Sequence, residues 1–210
     1  MDRDLPFDTR ELAAAHIDHD ASQVELVLPR DRDSHSPCDD RQAMNTNELT
    51  RSLTTLFSEL IDGAKAPVGG NFVLNSGDPG LLASLDKLSA ADASSSVHGG
   101  ATIAAHAQHV RYGLSLMNRW ATKGGNPFAD AKWDEAWKTS AVNDAQWAEI
   151  HAGLADEAHR WLEALGATRD VSAVELSGMI GSIVHLAYHV GAIRQIAASA
   201  RGPRDDQVRS

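Results

Sequence analysis

Cysteine is nearly absent: Cys38 is the single one in 210 residues. One sulfur can form neither an intramolecular disulfide nor a thiolate metal cluster, and such usage fits a reducing compartment. Cations are also short, with 19 Lys and Arg against 29 Asp and Glu, for a net charge of −10. A phosphate backbone or an anionic leaflet would be repelled by most of this surface, so neither nucleic acid nor a membrane is an expected partner. The first thirty residues lack a basic start followed by an apolar core. No stretch reads as approaching the roughly 20 apolar residues that cross a bilayer, and the expected location is cytoplasmic. A Gly-x4-Gly-Lys-Ser/Thr loop, a Gly-x-Gly-x-x-Gly turn after a strand and a Gly-x-Ser-x-Gly elbow are all missing. Phosphate-loop, dinucleotide and hydrolase-elbow chemistry are thereby excluded. No pair of Glu-x-x-His motifs supplies the ligands of a di-iron bundle.

What is present divides unevenly. Residues 1–43 hold five Arg and eleven Asp or Glu, a net charge of −6. They contain one short helical pattern at 11–15, one segment of strand-like alternation at 24–28, and a polar run from Pro29 to Gln42. That is too little apolar surface for a core, so this segment is expected to be a poorly structured extension or an over-extended gene start, with Met44 as the natural beginning. Residues 44–200 form the expected domain and 201–210 a flexible tail.

Beyond Met44 the apolar residues recur at helical spacing. Leu49, Leu53, Leu56, Leu60 and Ile61 predict a helix over 47–64, and Leu81, Leu82, Leu85 and Leu88 a short one near 80–90. Ile103, Ala107, Val110, Leu114, Met117 and Ala121 predict a second long helix, stopped at Gly124-Gly125-Asn126-Pro127. Val142, Trp147, Ile150, Leu154, Ala158, Trp161 and Leu165 predict a third over 142–165. Leu176, Met179, Ile183, Leu186, Val190, Ile193 and Ala197 predict a fourth over 172–200. The fold class expected is all-α, a four-helix bundle with long inter-helix loops. Phe128, Trp133 and Trp137 would cover one end of it, and Trp120, Trp133 and Trp137 could wall a pocket.

Ten histidines are the unusual stock of this chain. His185 and His189 stand at i and i+4 on the fourth helix, about 40° apart around its axis and one turn along, so both can reach one ion. His106 and His109 form a second pair on the second long helix, His106 nearer the apolar stripe and His109 further round. Both pairs also admit a plain reading as hydrogen-bonded structural residues. Polar side chains beside a core stripe need partners, and a divalent cation would satisfy several at once. Imidazole-only ligation suits zinc, nickel, copper or iron better than magnesium or calcium. His16, His19, His35, His98, His151 and His159 are expected to be ordinary surface residues, and Cys38 no nucleophile.

The runs Thr102-Ile103-Ala104-Ala105-His106-Ala107-Gln108-His109-Val110 and His185-Leu186-Ala187-Tyr188-His189-Val190-Gly191 resemble the DinB-like superfamily of metal-dependent bundle proteins, also called YfiT-like, over about 46–200. The resemblance implies a divalent ion, zinc or nickel, held by His109, His185 and His189; periodicity, which puts His106 nearer the apolar stripe, keeps His106 as an alternative ligand or outer-shell residue. This chain departs from the family spelling by placing Ala192-Ile193-Arg194 between Gly191 and Gln195, which puts Arg194 near the expected site, as an outer-shell cation for an anionic substrate or, the favoured expectation, on a solvated helix face. Relatives imply a thiol-dependent S-transferase or isomerase using a low-molecular-weight thiol such as bacillithiol or mycothiol, with the metal activating the thiol or a water. The competing expectation is a non-catalytic, stress-related bundle with a structural or vestigial site. Either would be a homodimer.

Overall fold

Thr102, Asn143 and Ser172 each stand one residue before a long helix, with an extended backbone and a side-chain oxygen that accepts the free N–H of the third helical residue. Asn143 and Ser172 complete reciprocal capping boxes with Gln146 and Glu175. The computed structural model describes residues 46–66 and 70–204. The patterns at 11–15 and 24–28, Cys38, His16, His19, His35 and the extension up to residue 43 lie outside the described residues. Among those described, all regular structure is helical: α1 Thr46–Asp62, α2 Gly80–Leu85, α3 Ala90–Ala93, α4 Ile103–Lys123, α5 Trp133–Ala136, α6 Asp144–Gly166 and α7 Ala173–Ile196, followed by a single 3-10 turn at Ala198–Ala200.

Four long helices carry the core. α4 packs on α6 and α7, and α1 packs on the same two. The stripe expected on α6 is buried from Trp147 through Leu165, and Met179, Ile183, Leu186, Val190 and Ile193 of α7 meet it inside with Leu53, Phe57, Leu60 and Ile61 of α1. Trp161, wholly enclosed, donates its indole N–H to Ser182 Oγ at 2.9 Å, so its polar atom is not left bare. The expected helix over 80–90 is two pieces, because Ser89 starts a new capping box with Asp92. The start of α4 buries more than a stripe: Ile103 through Ala107 are all enclosed, their alanines small enough for close approach from several sides.

α7 corrects one expectation. It is long and apolar enough to cross a membrane by length and composition, yet only 33% of its apolar window is buried inside the protein. Its inner face packs on α4 and α1, while Val174, Ile180, Val184 and Tyr188 lie exposed. Glu175, two histidines and the small residues Ser177, Gly178, Gly181 and Ser182 interrupt what would otherwise be a continuous apolar run, so the sequence pattern does not announce this length.

The segment between α1 and α2 is closed by two glycines in left-handed conformation, Gly63 at φ +94° and Gly80 at φ +77°. Neither position has room for a β-carbon: one added at Gly63 would come 2.4 Å from Asp78 O, and one at Gly80 2.4 Å from Gly63 N. The buried carboxylate of Glu59 accepts N–H groups from Phe72, Val73 and Leu74 at 2.9, 2.7 and 2.5 Å, folding that segment onto α1. Asp78, also buried, accepts from Gly80 N–H and from the Arg194 guanidinium at 2.7 Å. Residues expected in the tail are tied here too, since Arg201 donates to Arg194 O and Asn75 to Pro203 O. Gly80→Ala therefore combines left-handed strain with a backbone clash and should lower stability by at least about 2 kcal/mol. Gly124→Ala, at φ +66° with open space around it, carries the strain alone and should cost about 1–2 kcal/mol in the same thermal denaturation series.

Candidate metal centre

Helix α4 sets His106 and His109 in its first two turns, and α7 sets His185 and His189 in its middle. Because these helices pack together, all four rings meet between them. His106, His109 and His189 are buried, at 8%, 7% and 1% exposure, and His185 is half-buried. His109 Nε2 lies 3.0 Å from His185 Nε2, and His189 Nε2 lies 3.0 Å from the same atom. The three residues each offer a nitrogen within 4.8 Å of the others. His106 approaches from the far side, its Nδ1 2.9 Å from His189 Nδ1.

This donor set fits a cation better than it fits itself. A ring nitrogen carries one proton or one lone pair, so His185 Nε2 cannot make a full hydrogen bond to both neighbours at once. Nitrogens about 2.0–2.1 Å from a shared tetrahedral ion stand about 3.3 Å apart, close to the spacing observed. His109 Nδ1 is the buried side-chain polar atom left without a partner among the described residues. His109, His185 and His189 can thus hold one metal ion, and three protein ligands leave a coordination position open.

Aromatic rings cover the imidazoles. The Trp137 indole stacks on His109, with ring centres 4.2 Å apart, and meets His106 edge-on at 5.4 Å. Trp133 stands 5.3 Å from His109 and contacts Tyr112 and Phe128. The cover is held over α4 by polar ties: Lys132 N–H donates to Tyr112 Oη at 2.8 Å, and Arg119 pairs with Asp130 and reaches Pro127 O.

Burial pushes all four imidazoles toward the neutral form. Desolvation, followed by the charges of His185 and His106, holds His109 at about 4, and desolvation with three imidazole neighbours holds His189 at about 2. His106 and His185 are lowered by desolvation. Near neutral pH each ring is therefore uncharged and keeps one lone pair. In the unfolded chain these rings take protons around pH 6.5. Acidification from pH 6.5 toward 4 therefore protonates the unfolded state first, and the metal-free protein should lose stability over that window. Urea midpoints at pH 7.5, 6 and 5 should fall in that order, and His189→Gln, which removes the most strongly depressed group, should flatten the trend.

The other residues singled out by sequence lie elsewhere. Arg194 is neither beside the imidazoles nor on a solvated face: its side chain, 16% exposed, turns to the buried carboxylate of Asp78, which gives the guanidinium a partner inside the protein. His151 contacts Asp86 and Leu82 O, His159 contacts Asp62, and His98 is exposed in a left-handed turn. Trp120 packs at Gly178 on α7, while Trp133 and Trp137 reach the site. Tyr112 carries one sequence signal only, its place one turn beyond His109, on the side facing Trp133. The chain matches no family model, and no curated protein or solved structure matches it.

Proposed function

We propose that this protein is a divalent metal-dependent four-helix bundle of the DinB-like kind, with zinc or nickel held by His109, His185 and His189. The observation that carries this reading is the approach of three Nε2 atoms, from two helices, to a common point in a buried setting. All-imidazole donors favour zinc or nickel over magnesium or calcium. A bound divalent ion supplies Lewis acidity, lowering the pKa of a thiol or water in the open position. The chain's own part is to keep the donors neutral through burial and to hold them by packing α4 on α7. The Trp133 and Trp137 rings limit water around them. The reaction class this favours is S-transfer or isomerisation dependent on a small thiol.

Purified protein should carry about one zinc or nickel per chain by elemental analysis, and His185→Ala should reduce occupancy at least tenfold. Unchanged stoichiometry in that variant would remove the site. Incubation of the loaded protein with low-molecular-weight thiols and a panel of electrophiles should then give turnover that fails in His185→Ala.

A second reading, a non-catalytic dimer, is favoured by the outer face of α7. Val174, Ser177, Gly181, Val184, Tyr188, Gly191 and Gln195 recur there at alternating intervals of three and four without one charge. In an antiparallel pairing, the register that sets Val184 against Gly181 of a second copy also sets Tyr188 against Ser177 and Val174 against Gly191, large against small throughout. A chain of net charge −10 meets its own copy most readily where charge is missing. Sedimentation should give a dimer that Val184→Glu converts to monomer with metal occupancy unchanged. A wild-type monomer that instead floats with lipid vesicles would assign this face to a membrane. Silence toward every thiol, with metal and dimer both intact, would favour the non-catalytic reading.

A further inference from the structure

His106 presents a nitrogen to the core that the three-ligand site does not use. Its Nδ1 lies 2.9 Å from His189 Nδ1, on the opposite side of the His189 ring from the Nε2 that faces His185. An ion held through His189 Nε2 therefore has His106 behind the ligand and not beside it. Bonding through Nε2 commits that lone pair to the ion, so the neutral His189 ring must keep its proton on Nδ1. That N–H is buried in a residue 1% exposed, and His106 Nδ1 is the partner within reach. To accept, His106 Nδ1 must be bare, which places the His106 proton on Nε2. The edge of Trp137 and the walls of α4 keep the His106 ring in place.

We infer that His106 is a positioning residue for the metal centre: it accepts the Nδ1–H of His189, fixing that ring in the tautomer and orientation that aim Nε2 at the ion. The inference rests on the three-histidine reading above and adds a fourth histidine to it in a distinct role. An outer partner of this kind raises the basicity of the ligand and removes the cost of a buried, unpaired N–H. It also accounts for both histidines of α4 being buried although one alone can join the ligands. Among the described residues His109 Nδ1 has no such partner behind it, so there the support falls unequally on the two helices.

The test uses zinc alone, with full-length protein, and measures affinity by competition with a chromogenic chelator. His106→Leu, which keeps bulk and removes the acceptor, should weaken zinc binding about 10–100-fold while leaving one site per chain. His106→Asn, whose amide oxygen can take the place of Nδ1, should return affinity to within a few-fold of wild type. Wild-type affinity in His106→Leu, or equal weakness in His106→Asn, would overturn the assignment. An independent readout needs no variant: long-range 1H–15N spectra of the zinc-loaded protein should show His189 protonated at Nδ1 and His106 at Nε2. A proton on His106 Nδ1 would overturn it as well. Wild-type protein that takes up no zinc would defeat the metal reading itself, whereas zinc bound with indifference to position 106 defeats this inference alone.

Discussion

Four imidazoles packed between two helices, three of them buried and one half-buried, must satisfy one another or something they share, and the arrangement of this protein follows from that demand. Burying a polar nitrogen without a partner is costly, so the rings of α4 and α7 are drawn to the same place, at contacts near 3 Å. The convergence requires α4 and α7 to stay in register, which in turn needs their starts fixed by Thr102 and Ser172 and their inner faces packed against α6 and α1. The small residues Ala104, Ala105 and Ala107 let neighbouring elements come close enough to enclose His106 and His109. Charge is excluded by the same burial, which keeps every ring in the form that can donate a lone pair.

How much of this could be read from sequence varied with the range of the interactions. The helix spanning Asp144 to Gly166 was legible residue by residue, since one apolar stripe meets one core. The i, i+4 spacing of His185 and His189 announced itself, because helical geometry alone places them together. The roles of His106 and His109 could not be divided in this way. Periodicity assumes a helix with one wet face, whereas the start of α4 is covered on several sides, so both edges of its stripe are interior. Arg194 lies near the histidines in sequence but pairs with Asp78, 116 residues away, and nothing local marks that attraction. The mutual fit of Gly63 and Gly80 and the capture of three N–H groups by Glu59 are likewise contacts across a loop. The length and apolar composition of α7 were present in the sequence, yet polar interruptions hid them.

The walls of the site differ in how firmly they are held. Helices α4 and α7 are fixed by core packing, whereas α5 and the residues before it are fastened by ties nearer the surface, including an Arg119–Asp130 pair with side chains 36% and 73% exposed. Exposed pairs contribute little to stability and are screened by salt. Trp133 and Trp137 thus sit on the least anchored side of the imidazole group, where a rearrangement admitting a small molecule would disturb the core least.

The two helices that bring the imidazoles together are far apart along the chain, with His109 and His185 separated by 76 residues. Anything gripping both rings acts as a removable cross-link across that loop, restricting the opened chain much as a covalent bridge would. A protein with a lone cysteine, barred from covalent bridging within itself, would in this way possess a reversible substitute, and its lifetime against local unfolding and proteolysis would track the abundance of the ion around it.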